Sequence, residues 1–529
     1  MGRSLERHAG CDLITIYPGA GVWSRALHDV LQPRSHILME PDADFYKPFL
    51  QPLLDRPGTT MVPNSGIIWS ELNEVLTPTH LPHQVERTAD EPPVRNDTLL
   101  VTANLAFFPK KKFRNFSSVA NLVLYQLISS IRASSLFQKY GLVRMLIWVG
   151  DDEKPGLLPR SVQRRRRLAI ESELATDWIT EVCGADQLDA SATTGKAGWY
   201  FRDRQIELES CRNIMDKMTE RGIHIPAGRE TKLVRELLAL DKDKQELGAA
   251  GSLVAVMDRP YRAELEVLEA DFSRGAFTTS SDKYERLKRL RYRSHWDAAR
   301  GNKILDLLRE QDAIVDMMEG GASVDQEAVR AREKDWNDRV QSLNKHLRLE
   351  FLLGRDNLHV FRQNPPVLSW DRRELEPLTI KADEFYPNIP LCLLDIQPKA
   401  MHPLMRDIGP QSNHGGDTFE LILGSLAQNS TFPMAKALET VWPGAAEGVI
   451  PHCPSLLDRS QGGTPLGGWG QVSPRVLNER QLSEVLEAWV GKWLFKPTFS
   501  ELVGRVAEDT DEESDGDDDG HRSRSSAIF

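Results

Sequence analysis

Apolar and polar positions change their rhythm along the chain. Between residues 11 and 150, short apolar runs alternate with stretches of helical period. "DLITIY" reads as a strand and "GVWSRALHDVL" as a helix. "SHILME" and "DADFYKPFLQPLL" repeat the pair. "TTMVPNS" predicts a third strand and "IIWSELNEVL" the helix after it. "DTLLVTANLA" is a continuous apolar run, the mark of a strand buried on both faces. A long helix, "SSVANLVLYQLISSIRASSLFQKY", and a fifth strand, "VRMLIWVG", complete the series. Strand–helix alternation of this kind predicts an α/β fold with a doubly wound, Rossmann-like parallel sheet.

Beyond residue 150 the pattern shifts. "DDEKPGLLPRSVQRRRRLAI" is charged and proline-bearing, a loop running into a basic helix start. Residues 201–350 are charge-rich and nearly free of proline. Cys211, Ile214, Met215 and Met218 follow helical spacing, as do Trp336, Val340, Leu343 and Leu347. Such stripes predict amphipathic helices packed on one another, with a partner surface as the lesser alternative. We read 201–350 as a helical insertion. It interrupts a first domain over 1–200 that closes over 351–400. There "LTIKADEFYPNIPLCLLDIQPK" returns to strands, an expected edge hairpin. Residues 401–505 read as a small C-terminal helical domain with proline- and glycine-rich connections. The segment 506–529 is too acidic to fold alone.

Composition narrows the class. The 529 residues are 40% hydrophobic and 27% charged, ordinary for a globular chain with several cores. No apolar run reaches the roughly 18 residues that span a bilayer. The net charge of −11 belongs largely to the tail: without the nine acids between Glu508 and Asp519, and without Arg522 and Arg524, it becomes −4. The body is therefore nearly balanced, and local cationic clusters are compatible with a nucleic-acid partner. Cys11, Cys183, Cys211, Cys392 and Cys453 are scattered without a C-x-x-C pair, which predicts buried free thiols and no metal site. "MGRSLERHAGCDL" fits neither a signal peptide nor a presequence. Internal import signals, or a start upstream, are the two expectations.

Two features carry chemistry. In "ITIYPGAGVWSRAL", Gly19 and Gly21 can bring backbone close to a ligand at a helix N-terminus. Glu40 ends the second strand about 20 residues on, where a Rossmann-type site places an acid for ribose hydroxyls. The alternative is a tight turn beside a surface glutamate. The turn lacks the third glycine of the dinucleotide fingerprint, and its spacing suits adenosylmethionine, which has no pyrophosphate. Asn104, in "ANLAFF" at the end of the fourth strand, falls on the carboxyl edge where open α/β sheets bind ligands. Phe107 or Phe108 could stack on a base there.

"YPGAG", "LME", "ANLAFF" and "GLVRMLIWV", in this order, resemble the rRNA adenine N6-dimethyltransferase superfamily. The similarity is greater to its fungal mitochondrial branch, the mitochondrial transcription factor B group, through "DLITIYPGAGVWS", "KYGLVRMLIWV", "HGGDTFE" and "AWVGKWLFKPTF". It covers roughly 11–200 and 365–500, and 201–350 has no counterpart. The resemblance implies a class I methyltransferase sheet, a C-terminal helical domain and a nucleic-acid cleft between them. It implies a mitochondrial matrix protein that binds and helps melt promoter DNA with the single-subunit mitochondrial RNA polymerase. Asn104, Leu105, Ala106 and Phe107 match the base-holding Asn-Leu-Pro-aromatic motif of the enzymes, with alanine for proline. Tyr17, Gly19, Gly21, Glu40 and Asn104 occupy the positions of the adenosylmethionine site.

The departures are concentrated in that site. Tyr17 stands for a glycine and Thr15 for an acid. Asn64 and Ser65 occupy the place of the third-strand acid, and the segment that closes over the cofactor has no counterpart before the first strand. These changes imply that adenosylmethionine binding is weakened or lost and that the chain is not catalytic. The alternatives are an active rRNA adenine N6-dimethyltransferase of the mitochondrial small subunit and a non-catalytic mitoribosomal protein. Two basic clusters flank the expected cleft. Lys110, Lys111, Lys112 and Arg114 interleave with Phe113 and Phe116, while Arg160, Arg164, Arg165, Arg166 and Arg167 follow the fifth strand. Cations there would neutralise phosphates and aromatics would stack on unpaired bases.

Overall fold

The computed structural model describes residues 2–87, 91–107, 109–113, 116–186, 202–243, 250, 261–320 and 325–505. Phe108, Arg114 and the acidic segment 506–529 lie outside the described residues.

A one-turn helix, α1 (Gly2–Leu5), precedes β1 (Asp12–Ile16), whose five residues are all buried. Then come α2 (Val22–Leu31), β2 (Ser35–Met39), α3 (Ala43–Leu54), β3 (Thr59–Val62), α4 (Trp69–Val75), β4 (Arg95–Asn104), α5 (Val119–Ala133) and β5 (Leu142–Gly150). This is the alternation that the apolar pattern predicts. Leucine, isoleucine and valine fill these strands because helices cover both faces of the sheet. Next, α6 (Arg167–Ala175) passes directly into β6 (Thr176–Gly184). The sequence reading misses this strand, since Asp177 and Glu181 break its apolar run and no turn residue separates it from the helix.

The insertion leaves the sheet after β6. It comprises α7 (Arg204–Glu220), α8 (Lys232–Lys242), α9 (Tyr261–Ser273), α10 (Asp282–Glu319), α11 (Gln326–Ser342) and α12 (Lys345–Arg362). Its stripes are core as expected: Cys211, Ile214 and Met218 are buried, as are Trp336, Val340, Leu343 and Leu347. The Trp336 indole donates to the Leu307 carbonyl at 3.0 Å.

The chain then forms β7 (Leu378–Thr379) and β8 (Leu391–Pro398). Among the described residues the sheet has eight strands in the order β3-β2-β1-β4-β5-β8-β6-β7. Pairing is parallel throughout, except that β8 runs antiparallel between β5 and β6. The expected edge hairpin is thereby corrected. All eight residues of β8 are buried, whereas a solvated edge strand alternates. Its one acid, Asp395, is held by Arg144 of β5 at 2.7 Å, and β7 pairs with β6, not with β8.

The architecture is thus a Rossmann-like α/β sheet with a helical C-terminal region. That region comprises α13 (Pro403–Arg406), α14 (Gly415–Gln428), α15 (Met434–Val441), α16 (Ala445–Val449) and α17 (Glu479–Glu487). Phe419 of α14 and Trp489 after α17 join the same apolar core as the sheet. The five cysteines are buried and free. No helix among the described residues is long and apolar enough to cross a membrane.

Candidate functional site

Strand order reverses between β1 and β4, and in open α/β sheets the crevice at such a point binds ligands. The turn after β1 packs three left-handed residues into five positions: Tyr17 (φ 55°), Gly19 (φ 54°) and Gly21 (φ 73°). For Gly21 the requirement is also spatial, because a Cβ there would lie 2.6 Å from Leu50 Cδ2 of α3. Tyr17 is the exception, a bulky residue in a conformation that costs roughly 1–2 kcal/mol. Three contacts hold it. Its backbone N–H donates to the Met39 carbonyl at 2.9 Å. Its hydroxyl bonds Ser65 Oγ at 2.7 Å. Its ring meets Phe107 edge-on, centroids 5.4 Å apart.

Tyr17 therefore reaches from the end of β1 to the loop after β3 and the loop after β4. The first of these loops packs tightly on β1, since a Cβ on Gly66 would fall 2.4 Å from Ile16 Cγ2. Glu40 is only 2% exposed and is occupied locally. One carboxylate oxygen accepts the Gly19 N–H at 3.3 Å and the other the Asp42 N–H at 3.2 Å. Burial pushes its carboxyl up from the ordinary value, and those two donors oppose the rise. Asn64 donates to Glu74 at 2.9 Å, so it too is engaged. Thr15 points away from the crevice. Its hydroxyl bonds His36 Nε2 at 2.9 Å, and His36 Nδ1 lies 3.1 Å from His28 Nδ1.

At the end of β4, Asn104 is exposed and its Oδ1 accepts the Ala106 N–H at 3.2 Å. Leu105 is buried, its N–H given to the Trp148 carbonyl at 2.8 Å. The Phe107 N–H then donates to the Leu105 carbonyl at 2.9 Å. This tight turn brings the half-buried Phe107 ring edge-on to Tyr17. Asn104 keeps its edge position.

The basic clusters divide. Lys110 is paired with Asp152 at 2.7 Å and Glu153 at 2.5 Å. Lys111 and Lys112 are exposed, and Phe113 is 42% exposed beside them. Of the arginine run, Arg166 is exposed and Arg164 half-buried. The other three are corrected out of the candidate nucleic-acid surface. Arg160 lies 3.9 Å over the Trp370 ring. Arg165, 4% exposed, binds Glu173 at 2.6 Å and donates to the carbonyls of Arg475 and Leu477 at 2.9 Å each. Arg167 binds Glu171 at 2.8 Å and also Glu420. The physical reason is local packing: Arg165 and Arg167 are taken up by the carboxylates of Glu173, Glu171 and Glu420, and Arg160 by the Trp370 ring.

The sequence reading missed Ser65 as the partner of Tyr17, and missed Glu420. Glu420 of α14 sits between Arg132 of α5 and Arg167 of α6 and joins the C-terminal region to the sheet's helices. "HGGDTFE" contains Glu420, but nothing in that stretch marks its partners. The two basic loops are neighbours through Tyr125. Arg167 donates to the Tyr125 hydroxyl at 3.3 Å, and Phe116 packs against that ring at 5.8 Å. Among the described residues no cluster of His, Cys, Asp or Glu is arranged to hold a metal ion. Compared with known protein families and curated proteins, the chain matches no family model and no curated sequence.

Proposed function

We propose that this chain is a non-catalytic mitochondrial transcription initiation factor. It acts in the matrix with the single-subunit mitochondrial RNA polymerase and holds melted promoter DNA. The observation that carries the non-catalytic part is Tyr17, fixed across the switch point by Ser65 and Phe107. A methyl donor placed in that crevice would meet the Tyr17 ring held by Ser65, and would find Glu40 already bound to Gly19 and Asp42. The residues present do not fit adenosylmethionine, and no methyl-transfer step is assigned to them. The choice of polymerase and compartment rests on the resemblance through "YPGAG", "ANLAFF" and "AWVGKWLFKPTF".

The work of such a factor is physical. Lys111, Lys112 and Arg166, on loops at the carboxyl edge of β4 and β5, supply cations for phosphates, and Phe113 supplies an exposed ring for an unpaired base. Extracting a base from a duplex costs a few kcal/mol, so binding favours DNA that is already open. Run-off transcription with the cognate polymerase, on duplex and on pre-melted promoters, tests this reading. The chain is expected to be required on duplex DNA, less required on pre-melted DNA and indifferent to adenosylmethionine. No stimulation on either template would overturn it.

A further inference from the structure

The face of α10 opposite its buried side carries two large aromatic residues in solvent. Tyr292 is 65% exposed and Trp296 is 55% exposed, their ring centroids 6.1 Å apart at an interplanar angle of 71°. They lie one turn apart, so both project from the same side of the helix. Soluble surfaces seldom leave a tryptophan and a tyrosine together in water without use. Exposed cations surround them: Lys288 and Arg289 one turn before, Lys303 two turns after.

The neighbouring arginines explain why these cations face outward. Arg286 and Arg291 each make a two-pronged ion pair with α9, to Glu264 at 2.6–2.7 Å and to Glu269 at 2.6–2.7 Å. Arg293 lies 4.6 Å over the Tyr261 ring. These contacts fix the rotation of α10 about its axis. Leu287 and Leu290 then point inward, and Lys288, Arg289, Tyr292 and Trp296 point out. Among the described residues, Lys288 pairs with Glu285 at 3.6 Å and Arg289 donates to the Glu285 backbone carbonyl at 3.4 Å. From Lys288 to Lys303 the face runs about 22 Å along the axis at 1.5 Å per residue.

We propose that this face of α10 is a binding site for single-stranded nucleic acid, separate from the sheet edge and independent of any polymerase. Bases stack on Tyr292 and Trp296, and Lys288, Arg289 and Lys303 neutralise the phosphates between them. Stacking of this kind tolerates any base, because each presents a π face. The site thus holds a strand without reading its sequence, and charge complementarity selects a polyanion over an apolar partner.

The test uses the full chain and fluorescein-labelled oligo-dT and oligo-U of about 20 nucleotides, longer than a single-strand site of this size. Fluorescence anisotropy is read across a salt series. Tyr292→Ala/Trp296→Ala is expected to weaken binding by about tenfold or more, with Tyr292→Phe/Trp296→Phe binding as the unaltered chain does. Lys288→Ala/Arg289→Ala is expected to lower the slope of log affinity against log salt by about 1.4. Thermal unfolding should be unchanged in every variant. The stronger binder of the two probes names the strand as DNA or RNA. Absence of binding to both probes overturns the proposal. So do affinities and salt slopes that none of the substitutions moves, including the case where they instead abolish association with a protein. Affinities that the α10 substitutions leave unmoved overturn this site alone, whereas absence of binding to both probes also counts against the sheet edge that the run-off experiment reads.

Discussion

Tyr17 holds a backbone conformation that costs roughly 1–2 kcal/mol. Its hydroxyl bond to Ser65 contributes about 1 kcal/mol and its edge contact with Phe107 about 0.5–1.5 kcal/mol, enough to offset the strain. Tyr17→Gly removes strain and contacts together and leaves Glu40 bound to its two amides. That variant is therefore expected to show no methyl transfer in a radiolabelled donor assay. In the arginine run, neighbours in sequence have opposite roles. Arg165→Ala strands the buried Glu173 carboxylate and is expected to cost about 3–5 kcal/mol in urea unfolding, whereas Arg166→Ala is expected to stay within about 0.5 kcal/mol. Equal effects from the two would contradict the assignment. The positions of Gly19, Glu40 and Asn104 were legible because each ends or follows a strand, and strand ends show in the apolar pattern. What fills the crevice was not legible. Ser65, Gly66 and Phe107 meet Tyr17 only when β1, β3 and β4 lie side by side, and a run of arginines carries no sign of the Glu173 and Glu420 that consume it.

At the scale of elements, β1, β2 and α2 meet around a buried chain of Thr15, His36 and His28. Burial, with His28 adding, lowers the His36 imidazole from its ordinary 6.5 to about 3, and burial lowers His8, beside β4, to about 4. The folded chain thus refuses protons that the unfolded chain accepts. Stability is full above about pH 6.5 and is lost as pH falls toward 4. The melting temperature is expected to be flat above pH 7 and to drop steeply between pH 6 and 4, with a shallower drop in His36→Gln. A His36→Gln profile as steep as that of the unaltered chain would contradict this. The first five strands and the helical character of the insertion were readable from short apolar runs and from the stripes at Cys211–Met218 and Trp336–Leu347, the second of which crosses from α11 into α12 at the Asn344 cap. β6 was not, because the buried Glu181 in it is neutralised from outside the strand, by Lys154 at 2.7 Å and Arg160 at 3.9 Å. The place of β8 was not either, for its partners β5 and β6 lie more than 200 residues upstream and leave no local trace.

Across the whole molecule, the insertion and the C-terminal region are tied to the sheet rather than hung from it. Glu333, Asn337 and Gln341 lie one turn apart along α11. They accept the Gly467 N–H at 2.6 Å, the Trp469 N–H at 2.8 Å and the Trp469 indole at 2.6 Å. Glu420 anchors α14 to α5 and α6 from another side. In such a frame the Tyr17 ring at the crevice between β1 and β4 is held by Ser65 and Phe107. We propose that this Rossmann-like sheet uses its ligand edge for nucleic acid while Tyr17 fills its small-molecule crevice. Calorimetric titration of adenosylmethionine into the full, unaltered chain tests it most directly. The account predicts no saturable heat at millimolar donor. A one-to-one isotherm with a micromolar Kd would contradict it and would make the Tyr-Pro-Gly turn a working cofactor site.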